Sequence, residues 1–310
     1  MTAVLDIIIV NWNSGTQLRR CLESVAAADK RGLALGRVVV VDNASSDRSA
    51  DDLGDLPLPL TRIRNASNRG FAAACNQAAR DSSATYLLFL NPDTVLTKDS
   101  LVAPTAFLEQ SPNAAVGIVG VQLLDTDGAI SHSSARFLTP GMILRKMFGL
   151  ERVLASRFPS HVMTDWDHEE TREVDHVTGA FFLVRRSLFE RLGGFDERFF
   201  VYLEDLDFSL RAKQAGWRTY YLAGATAYHR GGGTSEQIKA RRLFYALRSR
   251  VLYARKHFSW WSATAIMLAT LVVEFFTRLV RALARGSFIE ASDTVRAYGL
   301  LWRALPTLLK

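Results

Sequence analysis

Val4-Leu5-Asp6-Ile7-Ile8-Ile9-Val10, stopped by Asn11-Trp12-Asn13-Ser14-Gly15, is the stretch whose reading decides the fold. The run is short, β-branched and apolar almost throughout, as a buried strand requires. Directly after it, Thr16 to Ala27 places Leu18, Cys21, Leu22 and Val25 at helical spacing. The same rhythm then repeats. Arg37 to Val41 is a second strand run stopped by Asp42-Asn43-Ala44-Ser45-Ser46-Asp47. Leu60 to Arg64 is a weaker one, and Arg69 to Arg80 an Ala-rich helix. Tyr86 to Leu90 is a strong run stopped by Asn91-Pro92-Asp93, followed by a helix over Lys98 to Glu109 and a strand over Val116 to Val121. Strand–helix alternation at this spacing predicts an α/β fold, a mostly parallel sheet with helices on both faces.

Periodicity weakens from Asp125 to Asp175, where His132-Ser133-Ser134 and Trp166 to Glu170 read as surface or lid loops around a short helix near Ile143 to Val153. His132, His161, His168 and His176 in this stretch read as surface histidines. Order resumes with a strand run over Val174 to Val184, a helix over Arg186 to Leu192, a helix over Leu206 to Ala215, and strands over Arg218 to Leu222 and Thr226 to His229. Beyond Gly231-Gly232-Gly233 long helices are expected over roughly 236–256, 260–285 and 288–305. The expected division is a sheet domain over 1–235 and a helical tail over 236–310.

The 310 residues, 48% hydrophobic and 22% charged, match a globular core and exclude a disordered or collagen-like chain. Two well-separated cysteines, Cys21 and Cys75, provide neither a disulfide framework nor a cysteine zinc site. The chain enters its first strand at once, with no basic leader, and a cytoplasmic setting is expected. The net charge of +7 is unevenly spread. From Arg230 to Lys310 there are 14 Lys/Arg against four acids, a surplus of ten, while residues 1–229 carry a net −3. A basic tail on an acidic body points to an anionic partner or to solvated helix faces.

Open α/β sheets bind ligands at the carboxyl ends of their strands. Here those ends carry Asn11 and Asn13, Asp42 and Asn43, Asn65 and Asn68, and Asn91 and Asp93. Each pair also makes a good turn. Neither G-x-G-x-x-G nor the P-loop pattern is present, so a nucleotide held here is gripped by carboxylate and amide side chains rather than by a glycine cradle.

Six signatures occur in order: Val10-Asn11-Trp12-Asn13-Ser14, Val41 to Asp47, Asn68-Arg69-Gly70-Phe71 on to Asn76, Leu90-Asn91-Pro92-Asp93, Tyr202-Leu203-Glu204-Asp205-Leu206-Asp207, and His229 before the glycines. Together, over residues 4 to 235, they resemble glycosyltransferase family 2, in its rhamnosyltransferase-like and galactofuranosyltransferase-like branch, with a GT-A-like nucleotide-binding fold. The resemblance implies inverting transfer of a sugar, rhamnose as first choice, from a dTDP- or UDP-linked donor to a hydroxyl of a lipid-linked or glycan acceptor. It implies Asp205 as the base, with Glu204 beside it, and a divalent metal, Mg2+ or Mn2+, held by Asp93 and His229. Asn11, Asn13, Asp42, Asn68, Arg69, Asn91 and Asp93 are the implied nucleotide-sugar contacts, with Asp42 on the pyrimidine and Arg69 near base or phosphate. Asn91 stands where the family's D-x-D motif has its first aspartate. Adjacent carboxylates at 204, 205 and 207 raise one another's proton affinity, as a base near neutral pH requires, although the same residues also suit a helix N-terminus. The alternative function is an inactive sugar-nucleotide-binding or scaffold protein that keeps the fold.

In the tail, Phe258 to Val273 give 16 uncharged residues, short of the ~20 of a membrane span. Glu274, Arg278, Arg281 and Arg285 form a polar stripe opposite Phe275, Phe276, Leu279, Val280 and Leu283, with Trp260-Trp261 at the start. That describes either an interfacial helix on the anionic inner face of the cell membrane or a helix docked on the protein itself or on a second copy. Nucleic acid is not expected as a partner.

Overall fold

Ala3–Asn11 (β1) sends its side chains alternately into two cores. Leu5, Ile7 and Ile9 pack with Leu18, Cys21, Leu22 and Val25 of Gln17–Ala27 (α1). Ile8 and Val10 join Ala72, Ala74, Cys75 and Ala78 of Phe71–Ala79 (α2) on the other face. Each of the Leu, Ile and Val side chains among these contributes ~1.5–3 kcal/mol on full burial. The carboxylate inside the run, Asp6, is also buried, and it accepts from Arg37 N (2.8 Å), Arg37 Nε (3.0 Å) and Ser82 Oγ (2.8 Å).

The computed structural model describes residues 2–51, 53–150, 158–231 and 239–308. The chain divides into two compact units, one formed by 1–137, 162–197 and 204–234, the other by 138–161, 198–203 and 235–310.

The first unit is built on one sheet. Its strands are β1, Leu33–Asp42 (β2), Leu60–Arg64 (β3), Tyr86–Leu90 (β4), Thr94–Leu96 (β5), Val116–Leu124 (β6), Arg172–Val174 (β8), Phe181–Arg185 (β10) and Arg218–His229 (β11). Ser134–Ala135 (β7) and His176–Val177 (β9) form a separate antiparallel pair. The order is β3-β2-β1-β4-β10-β6-β11-β5, with β8 beside β11. The pairs β3–β2, β2–β1, β1–β4 and β6–β11 are parallel, and β10 runs antiparallel between β4 and β6. The expected α/β architecture is therefore present, with Val102–Glu109 (α3), Arg186–Arg191 (α5) and Glu204–Gln214 (α6) completing the helices of this unit.

Some boundaries differ from the sequence reading, each for a local reason. The strand expected over Val174 to Val184 is three short pieces, because each finds different partners: β8 pairs with β11, β9 with β7, and β10 with β4 and β6, while Gly179 between the last two turns its N–H to Asp205. The two strands expected over 218–222 and 226–229 are one strand with a register shift between Leu222 and Thr226. The histidines of the irregular stretch are not all at the surface: His168 and His176 are buried.

In the second unit, Pro140–Met147 (α4) starts at Thr139, whose Oγ1 accepts from Met142 N. The end of the helix expected near Val153 lies outside the described residues. The remaining helices are Lys239–His257 (α7), Trp260–Leu268 (α8), Glu274–Ala284 (α9) and Phe288–Leu308 (α10), with a π-helical turn over Ala269–Val273 joining α8 to α9. Residues 236–238 of the expected first tail helix lie outside the described residues. Ala263, Ile266 and Ala269 pack with Ile143, Met147 and Ala254, while Leu247 packs with Tyr298, Leu301 and Leu308.

The tail expectation needs one correction. Trp260–Ala284 is a continuous 25-residue helix, long and apolar enough to cross a membrane by length and composition. Glu274 does not end the apolar run, because it is buried and paired with Arg250 and with Arg278 Nη2 at 2.7 Å. The opposite side is an exposed apolar row: Trp261, Leu268, Val272, Phe276, Val280 and Leu283.

Candidate active site

β1, β2 and β4 are parallel and in register, so Asn11, Asp42 and Asn91 come to the same end of the sheet. Asn11 is wholly buried there. Its Nδ2 donates towards Asp42 Oδ1 (3.1 Å), Ser45 Oγ (3.1 Å) and Ser49 Oγ (2.8 Å), and its Oδ1 accepts from Ser14 Oγ. Of the two readings of Asn11, ligand contact or turn residue, the geometry fits the second: its polar atoms hold the two loops together. Asn13 has a left-handed backbone (φ +50°), and its Oδ1 accepts from Ser46 N at 2.7 Å. Asp42 is half-buried, its Oδ1 also accepting from Ser45 N.

A second tie lies at the start of α2. Asn43, buried, donates from Nδ2 to Asn68 Oδ1 (2.9 Å), and its Oδ1 accepts from Arg69 N (3.0 Å) and Asn65 Nδ2 (3.1 Å). Asn68 Oδ1 also takes the Gly70 N–H, so the Asn68 side chain shapes this loop. These contacts fix the Arg69 backbone while its side chain stays exposed.

β5 pairs antiparallel with β11, setting Thr94 opposite His229. This register brings the two implied metal ligands together, with His229 Nε2 3.3 Å from Asp93 Oδ1 and both side chains mostly buried. Among the described residues no group of three or more His, Cys, Asp and Glu is placed to hold a metal. One carboxylate and one imidazole nonetheless fit a divalent ion that takes its other ligands from phosphates, water and an amide such as that of Asn91.

Asp205, in the first turn of α6, accepts from Gly179 N at Oδ2 and from Leu206 N at Oδ1, both at 2.8 Å. Gly179 favours this approach, since a Cβ there would lie 3.0 Å from Oδ2 and the carboxylate would have to give by a few tenths of an ångström. The next residue, Ala180, uses its carbonyl to accept from Asn91 N (3.1 Å) and Thr94 Oγ1 (3.2 Å). The dipeptide Gly179-Ala180, entering β10 beside the carboxyl end of β4, thus carries both Asp205 and the turn that presents Asp93. Just before α6, Tyr202 and Leu203 have φ of +70° and +67°, a left-handed pair costing ~1–2 kcal/mol per residue.

The three acidic residues of α6 have different surroundings. Glu204 is buried with Oε2 lacking a hydrogen-bond partner, and burial, then Asp205 and Asp207, push its carboxyl well above the usual range. Asp207 is wholly buried against Arg211 Nε at 2.8 Å, a structural ion pair. Asp205 alone of the three keeps a partly exposed carboxylate. Cys21 and Cys75 are free and buried, and burial pushes both thiols up, so neither is a nucleophile. Sequence reasoning missed the ties made by Asn43, Ser45 and Ser49, the Gly179 N–H, and His176 behind Asp205; only the Gly after a β-branched pair signalled any of these.

Residues 3–251 match the model described as Glycosyltransferase like family 2, and the chain belongs to that family. N-acetylglucosaminyl-diphospho-decaprenol L-rhamnosyltransferase of Mycobacterium tuberculosis is 29% identical over 280 residues, covering 85% of this chain and 88% of its own. Rhamnosyltransferase WbbL of Escherichia coli is 26% identical over 257 residues, covering 81% and 92%. The solved mannosyltransferase PcManGT from Pyrobaculum calidifontis, in complex with GDP-Man and Mn2+, shares the fold at 20% identity and a TM-score of 0.53, covering 98% of this chain and 81% of its own. The chain is accordingly a glycosyltransferase of rhamnosyltransferase-like type.

Proposed function

We propose that the chain is an inverting transferase moving a sugar, rhamnose first, from a dTDP- or UDP-linked donor to a hydroxyl of a lipid-linked or glycan acceptor. The observation that carries this reading is the Gly179-Ala180 dipeptide, two adjacent residues of which the first holds the carboxylate of Asp205 by its N–H and the second the Asn91–Asp93 turn by its carbonyl. The names of the rhamnosyltransferase relatives support the choice of sugar, and that of the mycobacterial one supports a lipid-linked acceptor.

Asp205 removes the proton of the acceptor hydroxyl; the freed oxygen attacks the anomeric carbon from the face opposite the diphosphate, whose bond to that carbon breaks. The two backbone N–H groups fix the plane of the carboxylate for that task. Asp93 and His229 would hold Mg2+ or Mn2+, which when bound neutralises charge on the departing diphosphate; the Mn2+ bound by PcManGT supports this. Asp42 accepts the N3–H of the pyrimidine, the exposed Arg69 meets base or phosphate, and Asn13 and Asn91 lie towards the nucleotide. Asn11 and Asn68 serve this site through the loops they hold.

The tail is proposed to seat the enzyme on the inner face of the cell membrane. Supporting this are the surplus of ten positive charges and the exposed apolar row. The buried ion pairing of Glu274 favours a helix lying in the interface over one crossing it.

The test is Asp205→Asn, assayed with dTDP-rhamnose and Mn2+ against a diphosphoryl-lipid N-acetylglucosamine. Transfer should fall by more than about a hundredfold while donor affinity holds, because the amide keeps the shape but accepts no proton. Near-normal turnover removes Asp205 from the role, and wild-type binding without turnover leaves a sugar-nucleotide-binding protein that keeps the fold.

A further inference from the structure

Behind Asp205 lies a histidine that the transfer reaction as described does not use. His176, buried on β9, places Nε2 3.6 Å from Asp205 Oδ2 and Nδ1 3.0 Å from Ser209 Oγ. Ser209, one turn along α6, lies 2.9 Å from the Asp205 carbonyl oxygen.

Counting protons settles the roles. A carbonyl oxygen only accepts, so the single hydroxyl proton of Ser209 goes to Asp205 O. The Ser209 oxygen must then accept at its other contact, and Nδ1 of His176 is the donor. The Nε2 of the neutral ring is left as a bare lone pair aimed at a carboxylate oxygen, too far for a hydrogen bond and with no proton between them. Burial holds the imidazole below its ordinary range, with Asp205 and Asp175 opposing more weakly.

We propose that His176 is a positioning residue behind the base, its Nε2 lone pair taking a share of the proton that Asp205 removes from the acceptor hydroxyl. The inference rests on the reading of Asp205 as that base. In the resting site two lone pairs face each other across 3.6 Å. When the acceptor O–H bond breaks and its proton reaches the carboxyl group, Asp205 O–H···Nε2 closes with a movement of less than about 1 Å. The new bond is absent from the resting site and grows as the proton reaches Asp205, so it favours the transition state over the resting enzyme. The proton leaves to solvent after product departs, and no other reactant is required.

Asp175 beside the ring and the titratable groups on the elements packed against β9 are already engaged. Asp175 accepts from Phe137 N, Asp207 is paired with Arg211, and Tyr221 on the neighbouring β11 has its hydroxyl pushed up to about 12 by burial and bonded to His168 O. Glu204, held up by burial, shares the first turn of α6 with Asp205.

Two measurements on the full chain test this. The first needs no substrate: nitrogen NMR of 15N-histidine-labelled protein should show His176 protonated at Nδ1 and bare at Nε2, and Ser209→Ala should release that tautomer. Finding Nε2 protonated in the wild type overturns the proposal. The second is kinetic, with dTDP-rhamnose, Mn2+ and a diphosphoryl-lipid N-acetylglucosamine. His176→Phe should lower kcat on the order of tenfold, leave the donor KM within about twofold, and move the acid limb of the kcat profile, a property of the pair rather than of either residue. Ser209→Ala, which keeps the ring and nearly all the packing, should move that limb in the same direction. A limb unmoved in both variants means that His176 only fills space. If Asp205→Asn keeps its turnover, the base assignment fails instead, an outcome distinct from an inactive Asp205→Asn with an unmoved limb.

Discussion

Replacing Asn11 by Ala separates a loop tie from a ligand contact, because the two make opposite demands on the ligand-free protein. The substitution removes an amide that faces Asp42, Ser45 and Ser49 and an oxygen that accepts from Ser14. Ser14 is buried, so its hydroxyl loses its acceptor out of reach of water, a cost of ~1–3 kcal/mol. The other three partners are better placed to recover water, leaving only the net value of their bonds, about 0.5–1.5 kcal/mol each and less than additive. The expected loss is therefore about 3 kcal/mol. Equilibrium urea unfolding, followed by the fluorescence of the neighbouring Trp12 together with far-ultraviolet dichroism, reads it as a lower midpoint. A loss below about 0.5 kcal/mol without ligand, alongside a large loss of donor affinity, would refute the loop-tie reasoning and return Asn11 to the nucleotide.

Other outcomes follow from the same geometry. Glu204 has its folded-state value raised, so its contribution to stability is present at low pH and is lost as pH rises through that value. Glu204→Gln, neutral throughout, should match the wild-type Tm in acid and exceed it increasingly towards alkaline pH; a difference independent of pH contradicts the buried neutral carboxyl. Asp93→Ala and His229→Ala should each weaken Mn2+-dependent donor binding by tenfold or more, or about 1.4 kcal/mol, in calorimetry, and indifference of the wild type to chelator would rule out the metal role. Phe276→Asp combined with Val280→Asp, both on the exposed row, should release the protein from vesicles containing anionic lipid; wild-type binding should fall partly in high salt, since charge is screened and apolar burial is not. A chain that ignores vesicles but elutes as a dimer would make the row an oligomer interface.

What the sequence made legible was set by period and by strand ends. The buried runs at Val4–Val10, Arg37–Val41 and Tyr86–Leu90 announced the sheet because nothing but a two-sided core calls for such runs, and the acids and amides ending them mark the same edge in three dimensions. The family resemblance put Asp93 and His229 on one metal, but no pattern in the residues themselves could: their meeting depends on β5, three residues too short to carry a pattern, pairing with the last residues of β11. His176 was read as a surface residue since no period survives between Asp125 and Asp175; its burial comes from β7, α6 and β11 closing around it. The Gly179 N–H left no more trace than a glycine after the β-branched pair Val177-Thr178, because a backbone donor has no letter of its own in the sequence.

The dipeptide Gly179-Ala180 has a consequence for precision. Two reactive ends held by separate loops would drift independently, and the gap between them would accumulate the wandering of both. Here the N–H of one residue grips the carboxylate of Asp205 and the carbonyl of the next grips the turn bearing Asp93. Motion of the sheet carries both ends together, as two marks scribed on one ruler keep their spacing when the ruler moves. On the roles proposed for Asp205 and Asp93, the span that a sugar must bridge is gauged by a single Cα-to-Cα step, Gly179 to Ala180, at the head of β10.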